Sequence, residues 1–231
     1  MLRTAIALAA LLTANAASAG PVSPSMTLRM TGFAYGYAPV STSATTGTIG
    51  DGELAGVMTR DGVTSSFLTY CTDLAQGFSW NTNYTYTEVA TGTAHGFTTR
   101  QADLLGKLYT LAGRDVDTTD ESAAFQLAVW EIVTETGPSL NILSGSFQLT
   151  AGASAQQRTM TKDWLIAVSD INAVSSFNAT RLYSSTTQDF VAFTAVPRTP
   201  NGGNGGNVPE PADYGLVGIA LLGLVAARRK A

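Results

Sequence analysis

The stretch Ala123-Ala124-Phe125-Gln126-Leu127-Ala128-Val129-Trp130-Glu131-Ile132 decides how the rest of the chain is read. Phe125, Ala128, Val129 and Ile132 recur at helical spacing, while Gln126 shares a side with Trp130 and Val133 at i+4 and i+7. The helix is expected to open at Thr118-Thr119-Asp120-Glu121, where Thr118 and Glu121 stand at capping-box distance, and to close at Gly137-Pro138. Apolar neighbours flank Gln126 where a surface glutamine would have charged ones, so its amide is expected to be partly sheltered. Glu131 points away from Gln126 and is not read as a base for it.

Outward from this helix the pattern predicts a helix on each side. One is expected from about Arg100 to Ala112, capped by Thr99, with Leu104, Leu105, Leu108, Leu111 and Ala112 on its apolar face and Gly113 as its stop. The other is expected over about Ser154 to Val174, with Met160, Trp164, Leu165, Val168 and Ile171 as its buried stripe. Further out the period changes to two. Strands are expected at Met26–Phe33, Glu53–Arg60, Val63–Cys71, Tyr84–Val89, Thr180–Tyr183 and Phe190–Val196, with turn signals at Gly47, Gly50, Asp51 and Gly52. The predicted class is α+β: an antiparallel β-sandwich or barrel with an inserted helical segment carrying the glutamine.

The 231 residues are 45% hydrophobic and only 13% charged, with many Gly, Thr and Ser, a composition suited to a secreted β-rich domain. The net charge of −4 and the absence of a basic cluster before the last few residues argue against nucleic acid as a partner. One cysteine, Cys71, cannot form an intramolecular disulfide, and a lone thiol in an exported chain calls for burial, intermolecular pairing or reactivity as its explanation. One Cys and one His do not make a structural zinc centre, and no loop has calcium-binding spacing, so no metal or cofactor is expected.

The ends carry processing signals. Residues 1–19 read as a secretory signal peptide: Arg3, the apolar run Ala5–Leu12, then Ala17-Ser18-Ala19 before Gly20. Residues 20–197 form the domain, and 198–207 are a Gly/Asn/Pro linker. Residues 208–231 hold Val208-Pro209-Glu210-Pro211, an apolar run from Tyr214 to Ala227, and Arg228-Arg229-Lys230. That run is short for a bilayer span, though snorkelling basic residues extend it, and they predict a cytoplasmic C-terminal end.

The tail resembles the PEP-CTERM sorting signal of Gram-negative bacteria, carried by Val208, Pro209, Glu210 and Pro211, the short apolar helix, and Arg228, Arg229 and Lys230. The resemblance implies processing by an exosortase, a transient hold on the inner membrane, and a mature protein at the cell surface or outside the cell. The middle resembles the Cys-Gln thioester domain of bacterial surface adhesins. Tyr70-Cys71 and Phe125-Gln126-Leu127-Ala128-Val129-Trp130 match its motifs, with Phe125 where better-known members carry Thr.

That likeness implies a thioester between Cys71 and Gln126, a pocket around it from Tyr70, Phe125, Ala128 and Trp130, and amide formation with an amine-bearing surface protein or matrix component. It describes a one-shot covalent binder, not a turnover enzyme. Two other readings stand beside it. The domain could bind matrix or carbohydrate without covalent chemistry through exposed Tyr and Trp. A cysteine hydrolase would need Cys71, His95 and an acid such as Asp73 or Asp103.

Overall fold

The computed structural model describes residues 25–197, so the signal peptide, the linker and the sorting tail fall outside the described residues. Among the described residues no helix is long and apolar enough to cross a membrane.

The protein is mixed helix and strand. Six strands form a curled antiparallel sheet, a half-barrel in the order β5-β4-β1-β6-β8-β9: β1 is Ser25–Phe33, β4 Leu54–Arg60, β5 Val63–Thr69, β6 Tyr84–Val89, β8 Phe177–Tyr183 and β9 Phe190–Ala195. β2 (Ala38–Thr42), β3 (Thr48–Asp51) and β7 (Leu149–Ala151) form a second sheet in the order β3-β2-β7. No strand is expected at these three places, and the turn signals at Gly50 and Asp51 fall inside β3. β2 in fact alternates, burying Ala38, Val40 and Thr42, but with small residues in a five-residue strand that carry little periodic signal.

Beyond the end of β5, the chain bends toward the opposite edge of the larger sheet. Cys71 bridges to Phe190, the Val191 N–H donates to the Tyr70 carbonyl at 3.2 Å, and the Thr72 N–H donates to the Asp189 carbonyl at 2.9 Å. The Thr69 hydroxyl adds a bond of 2.7 Å to the Val191 carbonyl. These bonds fix the position of Cys71 against β9. β5 is an exposed edge, with Val63 70% and Leu68 51% exposed, and is buried only at Thr69.

Helix α2, Thr119–Thr134, is capped by Thr118 with Glu121 completing the capping box, as the spacing predicts. Every residue from Ser122 to Ile132 is buried, so the helix lies inside the protein on all its faces instead of presenting one apolar stripe. α1 (Thr99–Leu108), α3 (Ala155–Val168), the smaller sheet and the end of β5 surround it.

Both flanking helices differ from the expectation in instructive ways. The cap of α1 is Thr98, one residue earlier than predicted, and its Gln101 completes a capping box. A π-helical turn at Tyr109–Gly113 continues α1. Its wider turn takes in an extra residue and rotates the face, leaving Leu111 47% exposed while Ala112 stays buried. α3 ends at Val168, not Val174, so Ile171 lies beyond it and is 91% exposed. Its buried side is Gln157, Thr161, Leu165 and Val168. The two polar members are satisfied: Gln157 Nε2 donates to Asp120 at 2.8 Å, and the Thr161 hydroxyl bonds the Ala124 carbonyl at 3.1 Å.

Two buried carboxyls lie between β3 and β4, Asp51 at the end of β3 and Glu53 just before β4. Asp51 is fully buried with neither oxygen hydrogen-bonded, and burial raises its pKa well above the ordinary value. Burial raises Glu53 to about 7, partly offset by the Tyr70 hydroxyl. An acid with a raised folded pKa binds more protons when folded, so its contribution is full below the unfolded value near 4.5 and is lost as pH rises to about 7. We expect Glu53→Gln to remove this loss. In urea denaturation the variant should gain about 2–3 kcal/mol on wild type between pH 4 and pH 8; an equal difference at both pH values would refute the assignment.

Candidate functional site

The carboxamide of Gln126 lies flat against the backbone of Cys71. Gln126 Oε1 accepts from the Cys71 N–H at 2.8 Å, and Gln126 Nε2 donates to the Cys71 carbonyl at 2.8 Å. Both residues are buried, Gln126 to 1% exposure and Cys71 to 4%. The shelter is more complete than the flanking residues suggested, because the whole helix is enclosed. A glutamine there without partners would leave two polar groups dehydrated, and the backbone of Cys71 satisfies both.

The thiol has its own partners. Cys71 Sγ donates to the Asp73 carbonyl at 3.1 Å, and Gln188 Nε2 donates both to Cys71 Sγ and, at 2.9 Å, to the Asp73 carbonyl. Burial pushes the thiol up to about 12, opposed by the Trp130 indole N–H and the hydrogen bond at Asp73. That indole nitrogen is buried and completes no hydrogen bond of good geometry, which leaves it available to a sulfur anion.

Gln188 was not a candidate on sequence grounds. It sits in Thr186-Thr187-Gln188-Asp189 just before β9, a polar stretch with no motif, and only the bridge between Cys71 and Phe190 brings it to the sulfur.

The other expected pocket residues divide between two tasks. Trp130 lines a cavity of about 450 Å³ together with Cys71, Gln126 and Gln188. Tyr70 and Phe125 instead pack on each other at 4.4 Å between ring centroids and belong, with Ala128, to the buried core. The hydrolase grouping is not assembled around the thiol. His95 stacks on Tyr183 at 4.3 Å, Asp103 pairs with Lys107 at 2.8 Å, and Asp73 Oδ1 accepts from the Ala75 N–H at 2.7 Å. Glu131 is buried, with one oxygen accepting from the Asn141 N–H at 2.6 Å. Among the described residues no cluster of three or more His, Cys, Asp or Glu could hold a metal ion.

No family model matches the chain, and no curated protein or solved structure matches it. The likeness to the sorting signal and to the thioester domain therefore rests on the quoted motifs alone.

Proposed function

We propose that the protein is an exported bacterial surface or matrix protein that attaches covalently to amine-bearing targets through a thioester between Cys71 and Gln126. The architecture belonging to this reading is an antiparallel barrel with an inserted helical layer that carries Gln126. The observation that supports it is the pinning of the Gln126 carboxamide to the backbone of the same residue that bears the only thiol.

Formation balances without a cofactor. Cys71 Sγ bonds to Gln126 Cδ, the Cδ–Nε2 bond breaks, and the thiol proton leaves with the nitrogen as ammonia. The fixed geometry supplies the effective concentration. The Cys71 N–H already donates to Gln126 Oε1, where negative charge collects in the tetrahedral intermediate, so it serves as an oxyanion donor. With the thiol raised to about 12, the sulfur anion needs help, and the amide of Gln188 and the indole of Trp130 supply N–H groups toward it.

In the second step a target amine attacks Cδ, the Cδ–Sγ bond breaks, and the amine proton restores the thiol. The product is an amide on Gln126 and a free Cys71. In this reading the sorting tail is an address read by an exosortase, with the inner membrane a transient hold and the mature domain released or displayed outside the cell.

The test is the intact mass of the mature domain with and without methylamine. The expected result is a wild type one ammonia lighter than its sequence mass that gains methylamine, and a Cys71→Ala variant that does neither. An unmodified mass with a freely titrating thiol would sink the covalent reading. It would leave a non-covalent matrix or carbohydrate-binding module, for which the paired bonds of Gln126 are a structural latch between α2 and the segment that follows β5. Loss of Gln188 should slow methylamine addition. An N–H bond to a charged group contributes about 1.5–3 kcal/mol, so Gln188→Leu is expected to react about tenfold to a hundredfold more slowly, and an unchanged rate would remove Gln188 from the chemistry.

A further inference from the structure

The cavity at Cys71 and Gln126 has a mouth of a particular chemistry. Phe33, Tyr37, Phe78 and Trp80 line it, with Phe33 stacked on Tyr37 at 4.9 Å and Trp80 edge-on to both Phe33 at 5.4 Å and Phe78 at 4.8 Å. The backbone makes room for this cluster: a Cβ on Gly50 would stand 2.8 Å from the Phe33 ring. Tyr37 is 55% and Trp80 43% exposed, so two aromatic surfaces remain open to a ligand. The polar groups nearby are neutral amides, those of Gln76, Gln126 and Gln188, and no residue lining the cavity is charged.

Two consequences follow for an amine that reacts here. No carboxylate or imidazole lines the cavity to take a proton, so the nucleophile has to arrive as the free base. A lysine side chain, with an ordinary pKa of about 10.4, is unprotonated about once in a thousand molecules at pH 7.4. The 2-amino group of a hexosamine is far less basic, because the neighbouring C–O bonds withdraw electrons. Second, open aromatic surfaces beside neutral amides suit a pyranose ring, whose C–H faces stack on Trp or Tyr while its hydroxyls bond to amides.

Resting on the thioester reading, we infer that the substrate is an amino sugar in a glycan: its ring docks on Trp80 and Tyr37, and its free 2-amino group attacks Gln126 Cδ. The Cδ–Sγ bond breaks as the new C–N bond forms, and the amine proton passes to Cys71 Sγ.

The experiment follows adduct mass against time at pH 7.4 for the full mature domain with three probes: methylamine, a fully deacetylated glucosamine tetramer, and a peptide with one lysine and a blocked N-terminus. The N-acetylated tetramer is added as a competitor. The glucosamine tetramer is expected to react at least tenfold faster than the peptide, and the acetylated tetramer, having no free amine, is expected to form no adduct but to slow the reaction. Trp80→Ala is expected to lower the ratio of tetramer rate to methylamine rate at least threefold.

A lysine peptide that reacts as fast as the tetramer, a competitor without effect, or an unchanged ratio in Trp80→Ala would each overturn the inference. Methylamine adding normally while the tetramer lags refutes only the glycan substrate. Methylamine failing to add to wild type refutes the thioester and this inference with it.

Discussion

Measured against methylamine-opened wild type, in which no cross-link remains and Gln126 again carries an N–H, Gln126→Ala is expected to destabilise the domain by about 2–5 kcal/mol and Cys71→Ala by about 1 kcal/mol, and neither variant adds methylamine. The asymmetry comes from which atoms hold the latch. Gln126 bonds to the N–H and C=O of Cys71, not to its side chain, so alanine at position 71 keeps both bonds. Alanine at position 126 leaves a buried donor and a buried acceptor unpaired, each at a cost of about 1–3 kcal/mol. Chemical denaturation of the two variants separates these contributions. Equal losses would show that the side chain of Cys71, not its backbone, carries the interaction.

The contrast also bears on the proposed thioester. Bond formation expels Nε2 as ammonia, so the acylated protein loses the donor that satisfies the Cys71 carbonyl. The bond from the Cys71 N–H to Oε1 can survive the reaction. Aminolysis by a target returns a nitrogen to Cδ, and an amide formed with a primary amine again carries one N–H. In the proposed thioester one buried acceptor would therefore lack its partner, and capture of an amine would restore it.

The second large effect is expected at Phe125. This side chain is fully buried, and Tyr70, Tyr109, Trp164 and Phe193 surround its ring at centroid distances of 4.4, 6.3, 6.2 and 6.4 Å. Phe125→Ala is expected to cost about 3–5 kcal/mol, since four rings cannot all close on the space left. Phe125→Thr, the residue of the better-known thioester domains, should cost a similar amount because it adds a hydroxyl to an aromatic cluster. Thermal unfolding of both variants checks this, and a loss below about 1 kcal/mol for Phe125→Thr would contradict the packing role. The aromatic core on this face of α2 accounts for a phenylalanine at this position.

The elements with long or strongly marked patterns were legible beforehand. The capping box at Thr118 and Glu121 set the start of α2, and alternation located β1, β4, β5 and β6 to within a few residues. What escaped was local in a different way. The π-helical turn after α1 moved Leu111 outward, and the strands of the smaller sheet were too short and too poor in large apolar residues to announce themselves. Ile171 looked like a continuation of a helical stripe only because spacing does not show where a helix stops.

The sequence by itself determined where α2 opens and where the long strands of the larger sheet run, that Gln126 lies among apolar neighbours, and that the chain holds a single thiol, because these depend on residues within a turn or a strand of one another. Only the tertiary structure decided that Gln126 meets Cys71, 55 residues away, and that Gln188, 117 residues from the cysteine, reaches its sulfur. It also gathered Phe33, Tyr37, Phe78 and Trp80 around the same opening. Those contacts arise from the curl of the larger sheet and the burial of α2, and no local pattern records how a sheet bends or which side chains its closure brings together.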